Sequence, residues 1–230
     1  MINRRNFLLA SLASVMMPGA VTAGMRTDRM LSWADFQVGM KQLASAYANR
    51  SISQTDVAAR GVRLLQQVDI AGSEFIAAVN ASYESGNPYW LWQRLAREGS
   101  INGGLLTIEQ NQDVPLHDHP GATGMVRILS GEVEVWQFDR SAEVGKTEGL
   151  AMLERVTHRV MRPGDIAMLS PDRGNIHALR ALTRECSMLD YFIPPYGRSE
   201  RTWYQPMDNA WREELRISCR PVAENDFYMS

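Results

Sequence analysis

The segment PLHDHPGATGMVRILSGEVEVWQF, residues 115–138, decides the fold class. Residues 124–130 and 132–138 carry β-branched and aromatic side chains at a period of two, the spacing of strands rather than helices. Ser130-Gly131 between them reads as a hairpin turn. At the start of the segment, His117-Asp118-His119 puts two imidazoles at i and i+2. On a strand, alternate side chains share a face, so both rings would enter one interior.

Downstream the same period continues. Residues 105–109, 154–161, 165–169, 176–181 and 186–192 read as short strands, with Arg162-Pro163-Gly164-Asp165 as a tight turn. Residues 140–150 are polar and read as a surface loop. Closely spaced short strands predict a sandwich or a small barrel. Upstream the period is helical. Ser32 and Asp35 form a helix start, and Trp33, Phe36, Met40, Leu43, Ala44 and Tyr47 follow at helical spacing. A second amphipathic stretch covers residues 55–68, with Val57, Leu64, Leu65 and Val68, and a third covers 74–83. Gly86-Asn87-Pro88 is a break, after which Tyr89, Trp92, Leu95 and Ala96 predict a short fourth helix.

The first residues, MINRRNFLLASLASVMMPGAVTAG, have the layout of an export signal. Arg4-Arg5 precede a short apolar run, which ends in Pro18-Gly19 and small residues up to Ala23. The paired arginines before Asn6-Phe7-Leu8 resemble a twin-arginine signal, which implies the twin-arginine export machinery as a partner and a periplasmic destination. An uncleaved membrane anchor is the alternative. No second apolar span follows, so a stable membrane span in the mature chain is not expected. The chain thus divides into a signal at 1–23, a helical region at 24–99, a barrel at 100–205, and a tail at 206–230 packed on or near the barrel. Its 230 residues carry a formal net charge of −2 and no long Lys/Arg run, which excludes an electrostatic case for nucleic acid. Two cysteines, Cys186 and Cys219, are too few for a disulfide framework or a four-cysteine zinc site.

The chemistry concentrates in the histidines. Of four in the chain, His117 and His119 form the HxH pair, and His177 follows in Gly174-Asn175-Ile176-His177 on another predicted strand. An HxH pair alone is as readily structural as ligating. Two histidines from one strand and a third from a facing strand make a facial set, leaving coordination positions open for substrate and dioxygen. The histidines alone do not separate iron from manganese, nickel or copper, since imidazole suits several of these. His158 stands outside this pattern and reads as structural or exposed.

The 115–138 segment, followed by RPGDIAMLSPDRGNIHAL, resembles the two cupin motifs. That resemblance implies a mainly β, jelly-roll (double-stranded β-helix) barrel, here preceded by an N-terminal helical region. The first motif usually adds a glutamate after HxH. In this chain Pro120, Gly121, Ala122, Thr123, Gly124 and Met125 follow, so a three-histidine site is indicated. Closer still is the resemblance to the cupin thiol dioxygenases, the 2-aminoethanethiol dioxygenase and plant cysteine oxidase family. PLHDHPG at 115–121, GNIH at 174–177 and LDYFIPPY at 189–196 match that family's pattern in order. The resemblance spans about residues 100–205 and implies iron(II) on His117, His119 and His177. The implied reaction adds both atoms of O2 to a small thiol or an N-terminal cysteine, giving a sulfinic acid.

Further roles follow from the same resemblance. Asp190 shares a predicted strand face with Cys186, Met188 and Phe192, where an acid is costly unless it serves; it reads as a pocket acid that orients a ligand histidine or meets a substrate amine. Tyr196, after Pro194-Pro195, reads as a hydrogen-bonding partner of substrate or oxygen. Asp118 points away from the HxH face, and Arg127 reads as a candidate partner for a substrate carboxylate. The family's CTYY-like stretch is Arg201-Thr202-Trp203-Tyr204 here, without its cysteine. Two other readings stay open: a different three-histidine cupin dioxygenation, and a non-catalytic metal- or ligand-binding periplasmic cupin.

Overall fold

A computed structural model describes residues 30–86, 90–98, 100–141, 149–194 and 201–223. The expected signal at 1–23 and Tyr196 both lie outside the described residues. Among those described, the chain forms helices α1 (Trp33–Ala48), α2 (Gln54–Gln67) and α3 (Ser73–Ala81), then a run of strands. These are β1 (Tyr83–Gly86), β2 (Trp90–Glu98), β3 (Ile101–Glu109), β4 (Asp113–His117), β5 (Thr123–Ser130) and β6 (Val133–Arg140). They continue as β7 (Ala151–Met161), β8 (Ile166–Leu169), β9 (Ile176–Ala181), β10 (Glu185–Ile193), β11 (Thr202–Pro206) and β12 (Arg216–Ala223).

The strands make two antiparallel assemblies. One sheet runs β1-β2-β3-β10-β5-β8, and the other closes on itself in the order β11-β12-β7-β6-β9-β4. Neighbours such as β3 and β10, or β6 and β9, are far apart in sequence. This is the mainly β jelly-roll expected, preceded by the helical region. Three apolar layers hold it together. Helices cover the outer face of the open sheet, where Phe36, Leu65, Phe75, Leu105, Met125, Leu189 and Tyr191 pack. Between the sheets lie Leu106, Ile108, Val126, Val135, Leu179, Met188 and Phe192. Inside the closed assembly lie Leu116, Trp136, Phe138, Ile176, Tyr204 and Trp211.

The helices start on side-chain caps. The Ser32 hydroxyl accepts from the Asp35 N–H at 3.1 Å, and Ser53 with Asp56 forms a reciprocal capping box. The C-terminal end of α2 is held from the sheet: Arg127 of β5 donates to the carbonyls of Leu65 (2.5 Å) and Val68 (3.3 Å). A cation placed on those orphan carbonyls is favoured by the helix dipole. Arg127 therefore faces the helices, which corrects its reading as a substrate partner.

The fourth helix is also corrected: residues 90–98 are strand β2. Trp90 and Trp92 pack towards the layer between the sheets, while Leu95 and Ala96 pack on the helical side. Gln93, on that same helical side, is buried and donates to Val79 O and Ser82 Oγ. A strand covered on both faces loses the polar–apolar alternation, and its residues then match a helical template as well. Beyond residue 206 the chain adds β12, which pairs with both β11 and β7.

Candidate metal centre

His117 ends β4, directly opposite His177 of β9 in the ladder. Val114 faces the layer between the sheets and Leu116 the closed assembly. A register shift between Val114 and His117 returns the histidine to the side of Val114. The Pro115 carbonyl in this bulge lies 2.8 Å from His117 Nδ1. A carbonyl only accepts, so Nδ1 carries the proton and Nε2 presents its lone pair. His119 lies past the end of β4, not on it. Its placement comes from its own N–H, which donates to Asn175 Oδ1 at 3.2 Å, and from a turn in which the Ala122 N–H donates to His119 O.

The GNIH turn is built to hold β9 in place. Gly174 sits at φ +64°, where glycine is at ease, and its N–H donates to Asp139 Oδ1. A Cβ there would come within 3.0 Å of Gln137 Nε2, which donates to the Met168 and Gly174 carbonyls.

The result is a convergence of three ring nitrogens. His177 Nε2 lies 3.1 Å from His119 Nε2 and 3.1 Å from His117 Nε2. All three side chains are buried, and no carboxylate joins the group among the described residues. Burial pushes the three imidazoles below their ordinary 6.5, with the positive charge of Arg201 adding to it, and His177 falls to about 3. Neutral imidazoles aiming lone pairs at one point are the donor set a divalent transition metal requires.

The surroundings are aromatic. Phe192 stacks on His119 with centroids 4.3 Å apart, and Trp203 of β11 lies 4.9 Å from His117. Trp203 also stacks on Trp90 at 5.9 Å, so β2 and β11 meet beside the histidines. Arg201 lies over the Trp203 ring, 5.4 Å from its centroid. Asp190 occupies the β10 position two before Phe192, buried, and its Oδ1 has no hydrogen-bond partner among the described residues. Burial raises its pKa well above 3.8, against the opposing pull of Arg201. Asp118 faces away, as expected: it accepts from the Thr202 N–H at 2.8 Å and the Tyr204 hydroxyl at 3.1 Å, fixing the loop to β11. His158 is on the far side of the closed assembly, stacked on Trp136 and 2.7 Å from Glu134. The nearness of Arg201, Trp203 and Phe192 to the histidines had no local signature in the sequence.

The imidazoles make a pH prediction for the metal-free protein. Folded, they stay neutral; unfolded, they take up protons below about pH 6.5. Stability is therefore expected to fall as pH drops from 6.5 towards 3, the window set by His177. Asp190, with its raised pKa, pulls the other way by one group. Thermal unfolding between pH 7.5 and 5 checks this, and metal loading should raise the profile while keeping its slope, because the folded imidazoles carry no proton with or without the metal.

Comparison with known proteins gives a consistent picture. The human 2-aminoethanethiol dioxygenase is 27% identical over 114 residues, covering 40% of this chain and 42% of that protein. Plant cysteine oxidase 1 of Arabidopsis thaliana is 33% identical over 102 residues, covering 42% of this chain and 34% of that protein. The chain thus spans less than half the length of these curated relatives. Among solved structures, an uncharacterized conserved protein with a double-stranded beta-helix domain from Klebsiella pneumoniae superposes with a TM-score of 0.41 at 15% identity, covering 54% of this chain and 92% of that one. A cupin superfamily protein from Desulfitobacterium hafniense gives 0.35 at 18%, covering 48% and 83%. A family model described as PCO_ADO matches residues 55–217, a span that takes in helix α2 after its first residue, all three histidines and the start of β12, and the chain belongs to that family.

Proposed function

We propose that the chain is a non-haem iron(II) thiol dioxygenase, converting a thiol and O2 into a sulfinic acid that carries both oxygen atoms. The observation that carries this reading is the convergence of His117, His119 and His177, with no carboxylate joining them among the described residues, in a member of the PCO_ADO family. The three imidazoles would hold the iron. Iron bound there would supply open positions at which a thiol sulfur, its pKa lowered by the metal, and dioxygen meet.

The protein's own groups prepare that encounter. The Pro115 carbonyl keeps His117 in its ligating tautomer. Phe192 and the Trp90–Trp203 pair keep the site poor in water, which strengthens every charge interaction in it. Asp190 would present a carboxyl to the substrate amine or a ligand ring. Asp190→Asn is expected to raise stability by about 1 kcal/mol, by removing a poorly satisfied buried acid, while lowering turnover about tenfold or more. Paired melting and rate measurements check this opposition. We further propose that the leader at 1–23 exports the folded protein to the periplasm, which fractionation and N-terminal sequencing of the mature chain would test.

The deciding experiment is oxygen uptake by the anaerobically iron-loaded protein with cysteamine, free cysteine and a peptide with N-terminal cysteine. Stoichiometric uptake with sulfinate detected by mass is expected for at least one of them. One metal bound per chain with no uptake for any thiol would sink the proposal.

A further inference from the structure

Of the three histidines at the centre, His119 alone lies off a strand. His117 and His177 are paired in the β4–β9 ladder, which fixes both backbones. His119 instead opens a turn: the Ala122 N–H donates to its carbonyl at 3.1 Å, and between them stand Pro120 and then Gly121 at φ +71°. Proline second and glycine third, with positive φ at the glycine, make a type II turn. A single turn is a weaker frame than a ladder, so the anchors at its two ends decide where the imidazole stands.

One anchor is Asn175, whose Oδ1 accepts from the His119 N–H at 3.2 Å. The other acts at the exit of the turn and comes from the helical layer. Thr123, the first residue of β5, is fully buried, and its hydroxyl accepts from Gln54 Nε2 at 2.9 Å. Gln54 is the first residue of α2 and lies just before the span that matches the family. Farther along, α2 is pressed onto the same strand. A Cβ on Gly61 would come 2.1 Å from Met125 Sδ, and Arg127 holds the carbonyls at the far end of the helix. Gln54 therefore reaches the turn from a helix that is itself fixed along β5.

Resting on the metal centre proposed above, we infer that Gln54 is a positioning residue for His119. Its hydrogen bond to Thr123 ties the exit of the turn to helix α2 and holds the imidazole in place before metal arrives. A site that is competent only part of the time binds more weakly by that fraction. Without the tie the turn gains conformations in the metal-free protein, and metal binding must remove them again. Loss of a group bonded directly to a metal ligand costs roughly 10–100-fold. Gln54 acts one step farther out, through one neutral hydrogen bond, which sets its effect at about fivefold.

The test uses cobalt(II) as the probe, on the full chain and its Gln54→Ala, Gln54→Glu, Thr123→Val and Thr123→Ser variants. Affinity is read by competition with a chelator, the ligand geometry by the cobalt absorption bands, and metal-free stability by denaturant unfolding. Gln54→Ala and Thr123→Val should each weaken cobalt binding by about fivefold and shift the bands. The double variant should be no weaker than either single one. Gln54→Glu should bind normally, because its carboxylate accepts from the Thr123 hydroxyl and suits the first turn of a helix. Thr123→Ser, which keeps the hydroxyl, should bind normally too. A merely structural bond would lower metal-free stability yet leave cobalt affinity and bands unmoved, and that result overturns the inference. Additive losses in the double variant overturn it as well. If Gln54→Ala weakens cobalt binding as stated but the iron-loaded native protein oxidises no thiol, the reaction falls and the positioning role stands. If thiols are oxidised and Gln54→Ala leaves cobalt binding unmoved, the reaction stands and the positioning role falls.

Discussion

His177→Ala is expected to abolish thiol turnover and to weaken metal binding by well over a hundredfold. Loss of a group that merely orients a metal ligand already costs roughly 10–100-fold, and His177 is the ring whose Nε2 lies 3.1 Å from each of the other two. Removing it leaves two imidazoles, which no longer surround a metal on one face. The fold itself should persist. The lost side chain is a neutral buried ring whose Nδ1 has no hydrogen-bond partner among the described residues, so metal-free melting should move by about 1 kcal/mol at most. The rise in melting temperature that metal gives the native protein should vanish in the variant. Metal content after dialysis, oxygen uptake and melting with and without metal together check this. His158→Ala is the control: stacked on Trp136 away from the centre, it should bind metal and turn over normally. Equal loss in both variants would show that a general disturbance, not ligand removal, is being measured.

Phe36→Ala should give the largest loss of stability, about 3–5 kcal/mol, with turnover per folded molecule retained. Phe36 is fully buried between the helices and the open sheet. Its ring stands edge-on to Tyr191 of β10 at 5.1 Å and stacks on Trp33 at 5.3 Å. Tyr191 faces the helices while its neighbours Asp190 and Phe192 face the centre, so a cavity at Phe36 opens on the far side of the strand from the chemistry. Chemical denaturation, with rates corrected for the folded fraction, distinguishes the two effects. A fall in kcat of the folded population would mean that the helical layer sets the position of β10 and does more than cover it.

Much of the barrel was legible because its strands carry period-two patterns between clear turns. The histidines were legible because HDH and GNIH are short and specific. What escaped did so for physical reasons. Residues 90–96 are covered on both faces, and their Trp, Leu and Ala spacing fits a helix as well as a strand. His119 was expected on a strand, yet it is held beyond β4 by Asn175, a contact 56 residues away in sequence. The role of Arg127 depends on where the end of α2 docks, which no local pattern encodes. Trp203 and Arg201 reach the centre through a single paired position, Trp203 opposite His117, and a pairing between strands so far apart in sequence has no local signature.

The bulge in β4 has an evolutionary consequence. Side chains along a strand alternate strictly, so the number of residues between Val114 and His117 decides which side of the sheet the imidazole meets. Were the ladder regular through these positions, the two residues between them would send the histidine into the greasy interior of the closed assembly and turn Leu116 the other way. The barrel pattern would survive almost intact. A single local irregularity thus separates a chain whose three imidazoles converge from an ordinary barrel with only two of them together, which is a short evolutionary distance.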